Sequence, residues 1–199
     1  MPHVGEIVAS DGVNVGDLRF DRLTAQVVTD AHGRYAEAVA RGRVFLASTQ
    51  AGAASGAGLS ATVATISLTN PLGTSRRMDI LTAIAAVTAA PAAAAGIFLA
   101  AFIPGVTTAV AHTTPLTVRA ALLGGPSIGP LGLADAAATL PAAPVIVMGL
   151  GGFSTGVGFD IGIIDVAGQA SLFPGSAVTI QTTAAVTAIW GLVWEEVPL

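Results

Sequence analysis

Charge is almost absent from the last three quarters of this chain. Eleven of its twenty charged side chains, five arginines and six acids, fall in residues 1–43, and there is none between Asp79 and Arg119 or from Val166 to Trp194. An ordinary globular domain is about one quarter charged, whereas this one is 10% charged with a mean hydropathy of +0.76. A surface so poor in charge is either covered by partners or immersed in lipid.

The lipid alternative centres on Ile80–Ile103, which is long enough to cross a bilayer. Pro91 interrupts it, eleven of its 24 residues are alanine, and Pro104-Gly105 ends it. No Trp or Tyr borders either end, and later apolar stretches are broken by Gly, Pro and Thr, so a membrane protein is the weaker expectation. The start, MPHVGEIVASDG, has no basic region followed by an apolar block, so no secretory signal is visible.

The pattern of the uncharged region points instead to strands. After Gly42, β-rich segments alternate with turn punctuation: 43–50, 61–69, 79–88, 96–103, 113–123, 144–150, 159–166, 177–183 and 185–197. The last is the clearest, because Val186, Ala188, Trp190, Leu192 and Trp194 fall on one face and Thr187, Ile189, Gly191 and Val193 on the other. Asn70-Pro71-Leu72-Gly73, Gly124-Gly125-Pro126 and Phe173-Pro174-Gly175 mark turns. Alanine runs at 85–95 and 134–143 admit a helical alternative, which Pro91 and Pro141 weaken.

Residues 44–199 are therefore expected to form an all-β domain, a jelly-roll-like antiparallel sandwich. Residues 1–43 read as an N-terminal arm, with a strand at Leu23–Thr29 and one short helix within His32–Gly42, where Arg41 follows Glu37 by four positions and Gly42 provides the stop.

Chemistry-bearing motifs are few. Absence of cysteine removes disulfides and thiolate chemistry, and absence of lysine removes Schiff bases and phosphate-binding P-loops. A net charge of -4 offers no grip on a phosphate backbone, so no nucleic-acid partner is expected. Gly152-Phe153-Ser154-Thr155-Gly156 matches the nucleophile-elbow pattern, but the sequence after it is Gly-rich rather than helical. No histidine follows Ser154 either, since the three are His3, His32 and His112. Gly149-Leu150-Gly151-Gly152 has Ser154 where a dinucleotide turn needs its third glycine.

The scattered histidines lack helical metal-pair spacing, and Asp160 with Asp165 lacks an EF-hand loop. Glu195 and Glu196 read as a charge pair on opposite faces of a strand end, solvated or at an interface. Trp190 and Trp194 read as core rather than as a sugar-stacking pair. No catalytic residue, metal or cofactor is expected. Arg19, Arg22, Arg34, Tyr35 and Arg41 are the candidate partner contacts, set against the plainer reading of a solvated helix face.

Several runs also resemble a known family. Gly33-Arg34-Tyr35-Ala36-Glu37 onward through Gly42-Arg43-Val44-Phe45-Leu46-Ala47-Ser48-Thr49-Gln50, the turn Leu68-Thr69-Asn70-Pro71-Leu72-Gly73-Thr74, His112-Thr113-Thr114-Pro115-Leu116-Thr117 and the ending Trp194-Glu195-Glu196-Val197-Pro198 are similar to small tailed-phage virion surface proteins of the capsid cement or decoration type. The likeness runs from Gly33 to the C-terminus and leaves residues 1–32 outside it. It implies a structural protein on the capsid surface that forms a homo-oligomer, a trimer, and fastens across neighbouring copies of the major capsid protein. A phage fibre or receptor-binding module is the alternative, with a small membrane protein behind it.

Overall fold

The computed structural model describes residues 5–8, 14–18, 35–63, 65–102, 110–156 and 161–199. The chain separates into Met1–Glu37 and Ala38–Leu199. In the first unit, β1 (Gly5–Val8) and β2 (Asn14–Leu18) pair antiparallel as a hairpin. The strand expected at Leu23–Thr29 lies outside the described residues. Helix α1 (Ala36–Ala40) is short and ends as the sequence indicates, with Gly42 N–H donating to Val39 O and Gly42 at φ 64°. Glycine is required there twice over, because a Cβ would also sit 2.5 Å from Pro126 O.

The second unit is built from thirteen strands among the described residues: β3 (Val44–Ser48), β4 (Ala53–Ala54), β5 (Thr62–Val63), β6 (Ile66–Thr69), β7 (Arg76–Val87), β8 (Ala95–Phe102), β9 (Ala111–Pro115), β10 (Arg119–Ala120), β11 (Leu133–Thr139), β12 (Val145–Phe153), β13 (Ile161–Leu172), β14 (Ala177–Thr182) and β15 (Thr187–Pro198). They form two antiparallel sheets. One runs β10-β3-β15-β7-β13, with β4 also on β15; the other runs β12-β8-β14-β6-β11, with β5 and β9 also on β11.

The pairing is nested: β3 with β15, β6 with β14, β7 with β13, β8 with β12 and β9 with β11. That is one long hairpin rolled upon itself, the connectivity from which a jelly roll is made. Among the described residues, however, β9 and β11 lie beyond β6 rather than beside β13. The four pairs β3–β15, β6–β14, β7–β13 and β8–β12 make the two facing sheets of the antiparallel sandwich, and β9 with β11 extends one of them.

Alternation fixes which side of each sheet faces in. Phe45, Met78, Ile80, Ala83, Ala85, Trp190, Leu192 and Trp194 from the six-stranded sheet meet Ile66, Leu68, Ile97, Leu99, Val178 and Ile180 from the other in one buried cluster. Trp190 and Trp194 are both 0% exposed. The Trp190 indole N–H reaches Ala53 O at 2.9 Å, and the Trp194 ring lies 6.3 Å from Phe45.

Two alternatives set against the strand reading resolve as follows. The alanine run at 134–143 is not helical, because β11 occupies Leu133–Thr139 and pairs with β6, β5 and β9. Ladder hydrogen bonds and half-buried packing on both flanks outweigh alanine's helix propensity. Likewise Ile80–Ile103 divides into the end of β7, a connection containing buried Pro91, and β8. No helix among the described residues is long and apolar enough to cross a membrane.

Truncating Trp190 removes the largest side chain at the centre of the core. Trp190→Ala is expected to lower stability by about 3–5 kcal/mol, read as a large fall in Tm by near-UV circular dichroism. An unchanged Tm would place Trp190 outside the cooperative core.

Candidate functional site: an apolar sheet face, a buried carboxylate and a histidine-lined groove

Three features of the second unit bear on function. The first is the outward side of the six-stranded sheet. Strand register places Ile161 opposite Ala86 and Ala86 opposite Ile189, then Ile163 opposite Ile84, Ile84 opposite Gly191 and Gly191 opposite Ser48. The next row carries Asp165, Thr82, Val193, Leu46 and Arg119. Ile161 and Ile163, on the flank strand β13, are 66% and 67% exposed. The expectation that both faces of β15 are apolar is met: its inner face is core and its outer face carries Ile189, Val193 and Val197.

Charge on this face gathers toward the other end of the strands. Asp79 stands opposite Glu195 and Ser171, and accepts from Ser171 Oγ at 2.5 Å and from Arg77 Nε at 3.1 Å. Glu195 faces Arg43 at 3.8 Å. Burial pushes the Glu195 carboxyl above its ordinary value of 4.5, with Asp79 adding to the rise and Arg43, Arg77 and Arg41 opposing it.

The second feature corrects the reading of Glu195 and Glu196 as a solvated pair. They do point to opposite faces, but Glu196 is 0% exposed. Its carboxylate accepts from Arg76 Nη1 at 2.9 Å, Leu131 N–H at 2.9 Å, Gly132 N–H at 2.9 Å and the Trp194 indole N–H at 3.3 Å. Arg76 also donates to Gly129 O at 2.7 Å and Ile128 O at 3.2 Å. Every partner is an internal donor of this chain, so the carboxylate is a structural tie and not an exposed acid.

The third feature is the pair His112 and Asp135. His112 on β9 places Nδ1 2.6 Å from Oδ2 of Asp135, whose side chain is 1% exposed. Beside them lies an open groove of about 230 Å³ lined by Pro115, Leu116, Val118, Gly132, Leu133 and Ala134. A carboxylate orients an imidazole this way in catalytic triads and metal sites. Among the described residues no nucleophile is bonded to the ring, and no group of three or more acids and histidines could hold a metal. Asp135 was not singled out in the sequence. Its only signal is that it is the sole charge between Arg119 and Asp160.

The remaining sequence candidates fall as follows. Ser154 is exposed directly after β12, and the chain turns at Thr155-Gly156, with Gly156 at φ 76°, where a nucleophile elbow would open a helix. Asp165 is exposed on β13, and Asp160 lies outside the described residues, as do Arg19, Arg22 and Arg34. Tyr35 is half-buried before α1 and Arg41 exposed after it, and both take part in interactions within the chain. Arg41 lies near enough to Glu195 to lower the pKa of its carboxyl. No family model, curated protein or solved structure matches this chain.

The two glutamates are expected to respond in opposite senses. Removing one partner of a buried ion pair costs about 3–5 kcal/mol, so Glu196→Gln should lower Tm sharply at pH 7. For Glu195 the folded-state pKa is raised, so its contribution favours folding below the unfolded value and is lost as pH rises through the folded one. Glu195→Gln should therefore raise Tm at pH 7 by no more than about 2 °C, given the group's partial exposure. That gain should vanish in melts below about pH 4, near the unfolded glutamate value. A fall in Tm at neutral pH would show that the Arg43 contact outweighs desolvation.

Proposed function

We propose that this chain is a non-enzymatic structural protein of a virion surface, a capsid cement that associates with copies of itself and fastens onto the major capsid protein. The observation that carries the reading is the apolar outer face of the six-stranded sheet, with two isoleucines about two-thirds exposed in a chain only 10% charged. Apolar exposure on that scale is a marker of a surface meant to be covered.

Two further points support it. The internal acids Glu196 and Asp135 are engaged by groups of this chain, which ties them to holding the sandwich together. The runs quoted from Gly33 to Pro198 also resemble decoration proteins, and their turns and strand ends are structural elements here: Asn70 donates to Arg76 O and Leu172 O, both at 2.9 Å, and joins two turns. Cement action needs no chemistry. It adds buried area across the joints between shell subunits, and that area opposes their separation.

Division of labour follows from the charge distribution. Residues 1–43 hold most of the charge and suit attachment to a polar shell, while the sandwich supplies self-association. Deleting residues 1–31 should leave the oligomer intact by light scattering and abolish co-sedimentation with capsids. Full occupancy by the truncated protein would assign attachment to the sandwich.

A further inference from the structure

The groove beside His112 and Asp135 has no part in cement action. In register His112 lies opposite Ala138, three positions along β11 from Asp135, and the β9–β11 ladder is irregular at both steps between them. Bulges of this kind re-aim side chains, and here the ring comes to Asp135 with Nδ1 2.6 Å from Oδ2. Nδ1 is thereby occupied, so Nε2 is the ring nitrogen left to a ligand, on a side chain 29% exposed. Asp135 itself is buried, and its Oδ1 has no hydrogen-bond partner among the described residues.

We infer that this groove is a binding site for a small uncharged alcohol, whose hydroxyl meets His112 Nε2 and whose apolar body lies against Pro115, Leu116, Val118 and Leu133. The site stands apart from the capsid reading and does not depend on it.

Size, charge and hydrogen bonding each narrow the ligand to this class. The groove's volume of about 230 Å³ lies below the range of about 300–1,000 Å³ of sites for drug-sized molecules, so the occupant is small. Charge is disfavoured in both signs. An anion would sit beside a buried carboxylate whose Oδ1 already lacks a donor. A cation would give up its hydration against apolar walls with no exposed acid to receive it, because Asp135 is the only acid lining the groove. The ring then selects the hydroxyl. The short Nδ1–Oδ2 contact holds one proton between those atoms, and Nε2 is bare or protonated according to the charge of the pair. A hydroxyl both donates and accepts, so it satisfies Nε2 in either state, which a carbonyl or an ether cannot.

Three probes that share one ring separate these effects: p-cresol carries the hydroxyl, toluene no polar group, and 4-methylbenzoate a carboxylate. Each is titrated into the full-length protein and followed by NMR at the His112 ring and the Val118 and Leu133 methyls. We expect p-cresol to bind about tenfold more tightly than toluene, the worth of one net hydrogen bond, and 4-methylbenzoate to bind most weakly. His112→Asn keeps an amide N–H for Asp135 while removing Nε2, so p-cresol should fall to the affinity of toluene. Leu133→Trp, at a position 44% exposed, fills the groove with the His112 and Asp135 pair intact and should abolish binding of both.

Equal binding of p-cresol and toluene would leave an apolar groove without a hydroxyl site and overturn the inference. So would tighter binding of 4-methylbenzoate, an unchanged p-cresol affinity in Leu133→Trp or in folded His112→Asn, or an unmoved His112 ring at millimolar p-cresol. Loss of capsid co-sedimentation in Leu133→Trp, with no probe bound by the wild type, would assign the groove to the shell protein and overturn it as well.

Discussion

The carboxylate of Glu196 ties the two sheets of the sandwich together. It sits on β15, which is bonded to β3 and β4 on one side and to β7 on the other. Arg76 begins β7, and Leu131 and Gly132 lead into β11 of the opposite sheet. One buried anion therefore joins the first residue of a strand in one sheet to the entry of a strand in the other. A charge so placed is tolerated only because four internal donors replace its hydration. Each donor is in turn fixed by the fold: two are backbone amides of one loop, one is an indole locked in the core, and one is a guanidinium that also clamps Gly129 and Ile128.

That arrangement explains what local pattern could and could not disclose. Trp190 and Trp194 were legible as core because alternation is a property of neighbouring residues, and β15 runs with a period of two along most of its length. Gly42 was legible as a helix stop for the same reason. Glu196 was not, since its burial depends on Leu131 and Gly132, more than sixty positions away in sequence. Nor was β11, whose Leu133-Ala134-Asp135-Ala136-Ala137 carries a helical preference that only β6 and β9 on its two flanks override. Asp135 belongs with it: an acid in an alanine run looks like a solvated side chain until His112 arrives from β9.

Register separated from strand existence in the same way. All nine segments marked in the sequence after Gly42 contain strand, yet β13 extends well past Val166 because a bulge at Ala167-Gly168 lets the strand resume against β7. Residues 113–123 instead break into β9 and β10, which serve different sheets. In the first unit the Asp11-Gly12 turn signal falls between β1 and β2, while the strands themselves are too short and too mixed in polarity to stand out. The nested pairing as a whole is a long-range property, and no window of ten residues contains it.

Low charge places two demands on this fold at once. An uncharged surface favours association, and the unpaired backbone of sheet edges makes one form of association, open-ended strand addition, hazardous. Edge strands in ordinary proteins are protected by charged side chains, but between Asp135 and Asp160 this chain has none to place on β12. Glycine takes over that role: Gly149, Gly151 at φ 131° and Gly152 kink β12, and Gly168 kinks β13. Irregular backbone thus substitutes for charge along these two strands.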